Sequence, residues 1–199
     1  MRAPVDDRVG PNAITRTYEA LLAHADRRVA DEVFAHAGIA HYVPCPPTRP
    51  VPVTEFRALV AAAHRLLGRE AALRVLEDAG RRVGRYVLEN RIPRVIRLVL
   101  PHLPTALATR ILFSAMRRNA WTFAGHAPVQ FDARAVVPSI EVRGAPTASI
   151  SGPDAGCGFY AAAFGVLISA LVSPAPHVRE VCCAATGATM CRFELRAAA

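Results

Sequence analysis

The sequence has no lysine: all 24 basic residues in its 199 positions are arginine. It also has no repeat of 20–50 residues, which sets aside a solenoid. Its sixteen prolines and twelve glycines follow no period, which excludes a collagen-like or low-complexity chain. Residues 1–10 are polar and charged, with no apolar segment of the kind that opens a secretory leader. The expected compartment is therefore the cytoplasm, with peripheral membrane attachment left open. No G-x-G-x-x-G follows a predicted strand. Gly156 and Gly158 precede an apolar segment and the next glycine, Gly165, falls at the wrong spacing, which argues against a dinucleotide-binding enzyme. Aromatic residues make up only 7% of the chain, and few of them stand among the arginines.

What is present is apolar and ordered in character. With 52% hydrophobic residues and a mean hydropathy of +0.23 the chain can bury a full core. The expectation is one domain over 1–199, helical from 11 to 118 and strand-rich from 119 to 196. Residues 14–36 place Leu21, Leu22, Ala25, Val29, Val33 and Phe34 on one helical stripe closed by Gly38. Residues 44–52 form a proline-rich connector. Thr54 is a candidate N-cap for a helix ending at Gly68. Further helices are expected over 69–90, after Pro93, and over 105–118.

Beyond Asn119, short β-branched and aromatic runs read as strands at 120–125, 136–144, 177–185 and 190–196. Between the second and third of these lies an uncharged stretch, 155–178, whose strongly apolar centre is the 16 residues 157–172. A spanning helix needs roughly 20 residues. The segment therefore reads as a buried core helix, and the architecture as α+β: a helical N-terminal half, then an antiparallel sheet with one central helix and a closing β-hairpin.

The formal charge of +8 is concentrated. From Arg57 to Arg118, thirteen arginines stand against four acids (Glu70, Glu77, Asp78, Glu89), a balance of +9; elsewhere eleven arginines stand against twelve acids. Only Tyr86 and Phe113 interleave with this run, so nucleic acid is not the expected partner. A solvated helical face carrying Arg74, Arg81, Arg82 and Arg85 accounts for part of it, and an anionic ligand or acidic partner protein is the other reading.

Five cysteines, an odd number, argue against a disulfide framework. Cys183 and Cys191 are equidistant from Gly187 and would face each other if the closing hairpin turns there. Opposed side chains on one face have Cβ atoms about 4.5–5.5 Å apart, suited to two thiolates on one metal ion. Cys157, at the start of the apolar helix, is a third candidate ligand and Glu180 a fourth. In an ideal strand Glu180 shares its face with Cys182 rather than Cys183. A bulge or a strand end must therefore bring Glu180 in, or Cys182 replaces Cys183 after a one-residue shift of the turn. Buried, reduced cysteines acting as small hydrophobes are the alternative.

Several blocks together carry a family resemblance: GPNAITRTYEAL (10–21), LLGREAALRVLEDAG (66–80), VLENRIP (87–93), NAWTFAG (119–125) and REVCCAATGATMCRFEL (179–195). The chain resembles, over nearly its full length, the 4-vinyl reductase domain family of bacteriochlorophyll-biosynthesis proteins. That resemblance implies a fold similar to the haem-type nitric oxide sensors and to a family of vesicle-tethering subunits, in which a hydrophobic ligand lies between helices and an antiparallel sheet. In related aromatic-responsive sensors the pattern Cys, Glu-x-x-Cys, Cys binds zinc. The resemblance therefore implies a structural zinc held by Cys157, Glu180, Cys183 and Cys191.

The family label implies reduction of the 8-vinyl group of a divinyl chlorophyll precursor. That reaction needs hydride or electrons, which neither side chains nor zinc supply. The preferred expectation is a non-catalytic carrier or accessory protein that binds a divinyl protochlorophyllide-type tetrapyrrole and hands it to other bacteriochlorophyll-biosynthesis enzymes. An 8-vinyl reductase using an external reductant is the alternative, and a homodimer the expected state by analogy. Candidate pigment contacts are an aromatic wall of Trp121 and Phe123 on one strand face, His102 and His126 as axial ligands to magnesium, and Arg118 for a carboxylate.

Overall fold

The computed structural model describes residues 7–149, 157–174 and 176–197. Residues 155 and 156, where the uncharged stretch begins, and most of the polar N-terminus lie outside the described residues. The chain enters through β1 (Arg8–Val9) and continues into α1 (Asn12–His24) and α2 (Arg27–His36). The apolar stripe read as a single helix over 14–36 is therefore broken. Ala25 is extended, and the Asp26 side chain accepts from the Val29 N–H at 2.8 Å, capping a new helix. Leu22 consequently turns to solvent, while Leu21, Val33 and Phe34 stay buried.

The connector ends in β2 (Val51–Pro52), which pairs antiparallel with β1. Helix α3 (Val53–Leu67) follows directly. It starts one residue before Thr54 and has no side-chain cap, so the expected Thr54 N-cap is not formed; Gly68, at φ +74°, closes the helix as expected. Helix α4 (Arg69–Asn90) is the longest. Short α5 (Arg94–Val99), a 3-10 turn at Leu100–His102 and α6 (Thr105–Arg118) complete the helical half.

The segment 120–125 is not a strand. Residues Trp121–Ala124 form one helical turn, α7, because Asn119 gathers local hydrogen bonds: its carbonyl accepts from both the Thr122 N–H and the Thr122 hydroxyl. Three residues of high β-propensity are too short a window to outweigh such local bonding. Trp121 and Phe123 thus do not share a strand face. Gly125, at φ +61°, ends the turn where a Cβ would lie 2.2 Å from Asp7 Oδ1.

Four strands form the main sheet: β3 (Val129–Asp132), β4 (Ser139–Val142), β5 (Pro176–Cys182) and β6 (Cys191–Ala197), all antiparallel and in the order β3-β4-β6-β5. The intervening helix α8 (Gly158–Leu171) packs against α4 on one side and β5 on the other. That position explains why it is apolar all round. Small residues let α4 and α8 close: a Cβ on Gly80 would sit 2.1 Å from the Phe159 carbonyl oxygen, and one on Gly84 2.8 Å from that of Ala163. Towards the sheet, Phe164 meets both Phe123 and Phe193. The fully buried Tyr160 donates its hydroxyl to the Phe123 carbonyl at 2.7 Å. Among the described residues no helix is long and apolar enough to cross a membrane.

Candidate metal centre

The β5–β6 hairpin decides where its cysteines point. Cys182 pairs with Arg192, a register centred on Gly187, whose φ of +98° makes the turn. Two residues earlier the register has shifted, with Glu180 opposite Phe193 and Val181 left out of the pairing. This bulge reverses the parity of the strand. Glu180 joins the inner face with buried Phe193, Cys182 faces outward with Arg192, and Cys183 turns inward. The alternative in which Cys182 replaces Cys183 is not what the chain adopts: Cys182 Sγ lies 3.6 Å from the Met190 carbonyl, away from the other sulfurs.

Helix α8 delivers the third sulfur. Cys157, immediately before the helix, is buried against the sheet; its N–H donates to Glu180 Oε2 at 2.7 Å. The Sγ–Sγ separations are 3.2 Å for Cys157–Cys191, 3.6 Å for Cys157–Cys183 and 3.8 Å for Cys183–Cys191. With a carboxylate oxygen of Glu180, all four ligand atoms lie within 4.8 Å of one another. The edge of a tetrahedron with metal–sulfur bonds of 2.3 Å is about 3.8 Å, so the donors are spaced for a single tetrahedral ion. Glu180 Oε1 is buried with no hydrogen-bond partner, a polar atom that a cation would satisfy. The cluster could hold a metal ion.

Its electrostatics fit that chemistry. Thiol donation from Cys157 and then Cys183 draws Cys191 down to about 4, although burial opposes this. Hydrogen bonding to Cys183 first, then to Cys191, with burial added, pushes Cys157 far above the ordinary thiol range. Burial first, then the hydrogen bond with Cys183, pushes Glu180 up to about 8. A cation placed among these groups would displace the retained protons. Two supports around the sulfurs had no signal in the sequence. The buried Thr147 donates its hydroxyl to Cys157 Sγ at 3.2 Å, and the Ala184 N–H donates to Cys191 Sγ at 3.4 Å.

The other sequence-derived site residues are not gathered here. Trp121 is half exposed, whereas Phe123 packs in the core edge-on to Tyr160 and Phe164. His102 is exposed on the turn between α5 and α6, and Arg118 is exposed at the end of α6. His126 is exposed and held by Asp7, whose Oδ1 lies 2.6 Å from its N–H and 3.1 Å from its Nδ1. The neighbouring Arg117, rather than Arg118, lines a polar cleft of about 460 Å³ with Gln130, Asp132, Glu141 and Arg192 on the outer sheet face.

These features define a class: a helical assembly on a four-stranded antiparallel sheet, with a buried Cys3Glu cluster pinning the central helix to the closing hairpin. The crystal structure of an H-NOX protein from S. oneidensis, in the Fe(II)NO ligation state, has the same fold. Its TM-score is 0.59 at 9% identity, covering 96% of this chain and 100% of that one. No protein-family model matches the chain. It is 36% identical over 191 residues to the bacteriochlorophyll synthase 23 kDa chain of Cereibacter sphaeroides, covering 94% of this chain and 90% of that one. To the protein of the same name from Rhodobacter capsulatus it is 35% identical over 196 residues, covering 97% and 90%. The chain belongs to this family of bacteriochlorophyll-biosynthesis proteins.

Proposed function

We propose that the protein is a tetrapyrrole-binding accessory or carrier protein of bacteriochlorophyll biosynthesis. It holds a divinyl protochlorophyllide-type precursor at the stage of 8-vinyl reduction and presents it to other enzymes of the pathway, working as a cytoplasmic homodimer. The observation that carries this reading is the 36% identity, along 94% of the chain, to relatives whose name ties them to bacteriochlorophyll synthesis. The intermediates of such a pathway are flat, apolar macrocycles that need a protein escort in water. The sequence offers no dinucleotide fingerprint to supply hydride, which favours escort over autonomous reduction.

In this reading Cys157, Glu180, Cys183 and Cys191 hold a structural zinc ion. Three thiolates and one carboxylate form a closed set with no open position for substrate, so the metal cross-links the start of α8 to the β5–β6 hairpin. The pigment contacts lie elsewhere. Trp121, half exposed, offers a stacking face, and Phe123 packs beneath the same turn against Tyr160 and Phe164. Arg118 is available to a ring carboxylate. Of the two candidate axial histidines, His126 is the better prepared: a proton on Nδ1 shared with Asp7 leaves the Nε2 lone pair for magnesium. His102 is the other candidate.

An absorbance titration of the purified protein against divinyl protochlorophyllide, repeated with NADPH and followed over time, tests the reading. A saturable spectral shift that reductant leaves unchanged supports the carrier. Conversion to the monovinyl spectrum without added enzyme makes the protein an 8-vinyl reductase instead. No shift at pigment excess removes tetrapyrrole binding altogether.

A further inference from the structure

Helix α5 is an unusual element of the helical half. None of its six residues is buried, and its main packing is with the Leu100–His102 turn that follows it. Helical spacing gathers Val95, Ile96, Leu98 and Val99 on one arc and leaves Arg94 and Arg97 on the other. Val95, Leu98 and Val99 are 67%, 70% and 51% exposed. Helix α6 packs on the same turn and adds Leu107 and Ile111, both exposed one helical turn apart. The two helices therefore present a run of large aliphatic side chains to solvent, where single exposed ones are ordinary but a cluster is not.

The charge along this segment of the chain is of one sign. No acidic residue occurs between Glu89 and Asp132, a stretch that carries Arg91, Arg94, Arg97, Arg110, Arg117 and Arg118. On α4 three of the arginines pair with acids of the same helix: Arg74 with Glu70, Arg81 with Glu77 and Arg82 with Asp78. Among the described residues the six arginines of 91–118 have no carboxylate within ion-pair distance. Six of the thirteen arginines of 57–118 thus make up an unpaired basic collar on the same chain segment, 91–118, that carries the exposed aliphatic residues.

An acidic protein surface and an anionic bilayer both complement such a collar, but the apolar side chains favour the bilayer. The face is purely aliphatic, whereas protein interfaces concentrate aromatic anchors. A six-residue helix is about 9 Å long, far too short to span but suited to lying in the headgroup region. Arginine stems can extend along the aliphatic surface while their guanidinium groups reach lipid phosphates. We propose that the edge formed by α5, the Leu100–His102 turn and α6 docks on an anionic membrane surface, with Val95, Leu98 and Val99 inserted among the acyl chains and Arg91, Arg94, Arg97 and Arg110 on the phosphates. This holds independently of whether a pigment or zinc is bound.

Flotation of the full chain with phosphatidylcholine vesicles, and with vesicles containing about 30% phosphatidylglycerol, tests it. Wild type should float with the anionic vesicles about tenfold more than with neutral ones, and about 0.5 M salt should release much of it. A Val95→Glu, Leu98→Glu double variant should lose at least about tenfold of the bound fraction with an unchanged thermal melt, because neither side chain is buried. Arg94→Gln with Arg97→Gln should weaken binding to anionic vesicles only. No flotation of wild type, or equal flotation of the Glu variant, overturns the proposal. So does a wild-type dimer that the Glu variant converts to monomer in sedimentation velocity, since the face would then belong to a second copy.

Discussion

Glu180 and Cys183 stand three residues apart, on opposite faces of an ideal strand, yet both turn into one pocket because Val181 is bulged out between them. If these two side chains, with Cys157 and Cys191, hold a structural zinc ion, Cys183→Ser removes it. A ligand present at a thousand times its Kd contributes about 4 kcal/mol, which for a chain of this size is about 8–16 °C in Tm. Metal analysis and a thermal melt check this. Cys182→Ser, whose sulfur faces away, should keep both zinc and Tm. Wild type without zinc, or a Cys183→Ser protein as stable as wild type, would sink the zinc assignment.

Much of this was legible in the sequence, and the places where it was not have physical causes. The helix at 157–172 was readable from its uninterrupted apolar run, the closing hairpin from the alternation of its strands on either side of Gly187, and the helix at 105–118 from its helical period between Pro104 and Asn119. The equidistance of Cys183 and Cys191 from Gly187 survives in the fold. Placing Glu180 required either a bulge or a strand end, but nothing in Glu-Val-Cys-Cys marks which of the two occurs or which residue leaves the ladder. The break at Ala25–Asp26 was hidden because the apolar stripe runs through it. The turn at Trp121 was hidden because side-chain bonding to Asn119 outweighs β-propensity over so short a run. Thr147 reaches Cys157 through tertiary packing alone.

Zinc binding should depend steeply on pH. At pH 7 Cys157 keeps its proton and so does most of Glu180, pushed up to about 8, whereas Cys191, drawn down to about 4, is already ionised. Binding through all four groups therefore releases at least two protons. Affinity should rise about 100-fold per pH unit between pH 6 and 7, and less steeply, by about tenfold per unit, above pH 8, where Glu180 is already ionised and Cys157 still holds its proton. Competition with a chelator, corrected for the chelator's own protonation, measures the slope. A slope near zero would mean that Cys157 and Glu180 are not ligands.

The α4–α8 contact should be intolerant of a single methyl group. Gly80→Ala gains about 1 kcal/mol of helix propensity, but its Cβ would meet the Phe159 carbonyl at 2.1 Å, and backbone cannot step aside as a flexible side chain can. The expected result is a net loss of about 2 kcal/mol. Gly165→Ala on α8, with nothing within 4 Å of its Cβ, should instead stabilise by up to about 1 kcal/mol. Urea unfolding of both variants settles the pair; equal effects would contradict the close approach of the two helices.

His64, on α3, should contribute an acid-sensitive part of the stability. Burial, then the neighbouring Arg69 charge, holds its pKa below the ordinary value of 6.5. The unfolded chain therefore binds the proton more readily than the folded one. The contribution is intact above pH 6.5 and is lost as pH falls through the window between 6.5 and the lower folded value. Unfolding free energies at pH 7.5 and 5.5 should differ less in His64→Gln than in wild type. A wild-type difference unaltered by the substitution would move the acid sensitivity to another group.

Trp121 is the chain's single tryptophan and 48% of it is exposed, so its emission reports on one surface. Without pigment, acrylamide should quench it readily. If the indole forms a stacking face for the tetrapyrrole, divinyl protochlorophyllide should quench it in parallel with the absorbance change, through energy transfer at short range, and should protect it from acrylamide. Trp121→Ala should weaken pigment binding by about 1–3 kcal/mol, the usual size of one aromatic stacking contact, with little change in Tm because so much of the side chain already faces solvent. His126→Ala serves as the companion variant: loss of the spectral shift with retained quenching would separate the axial contact from the stacking one. Emission that stays accessible to acrylamide at pigment saturation would remove Trp121 from the binding surface.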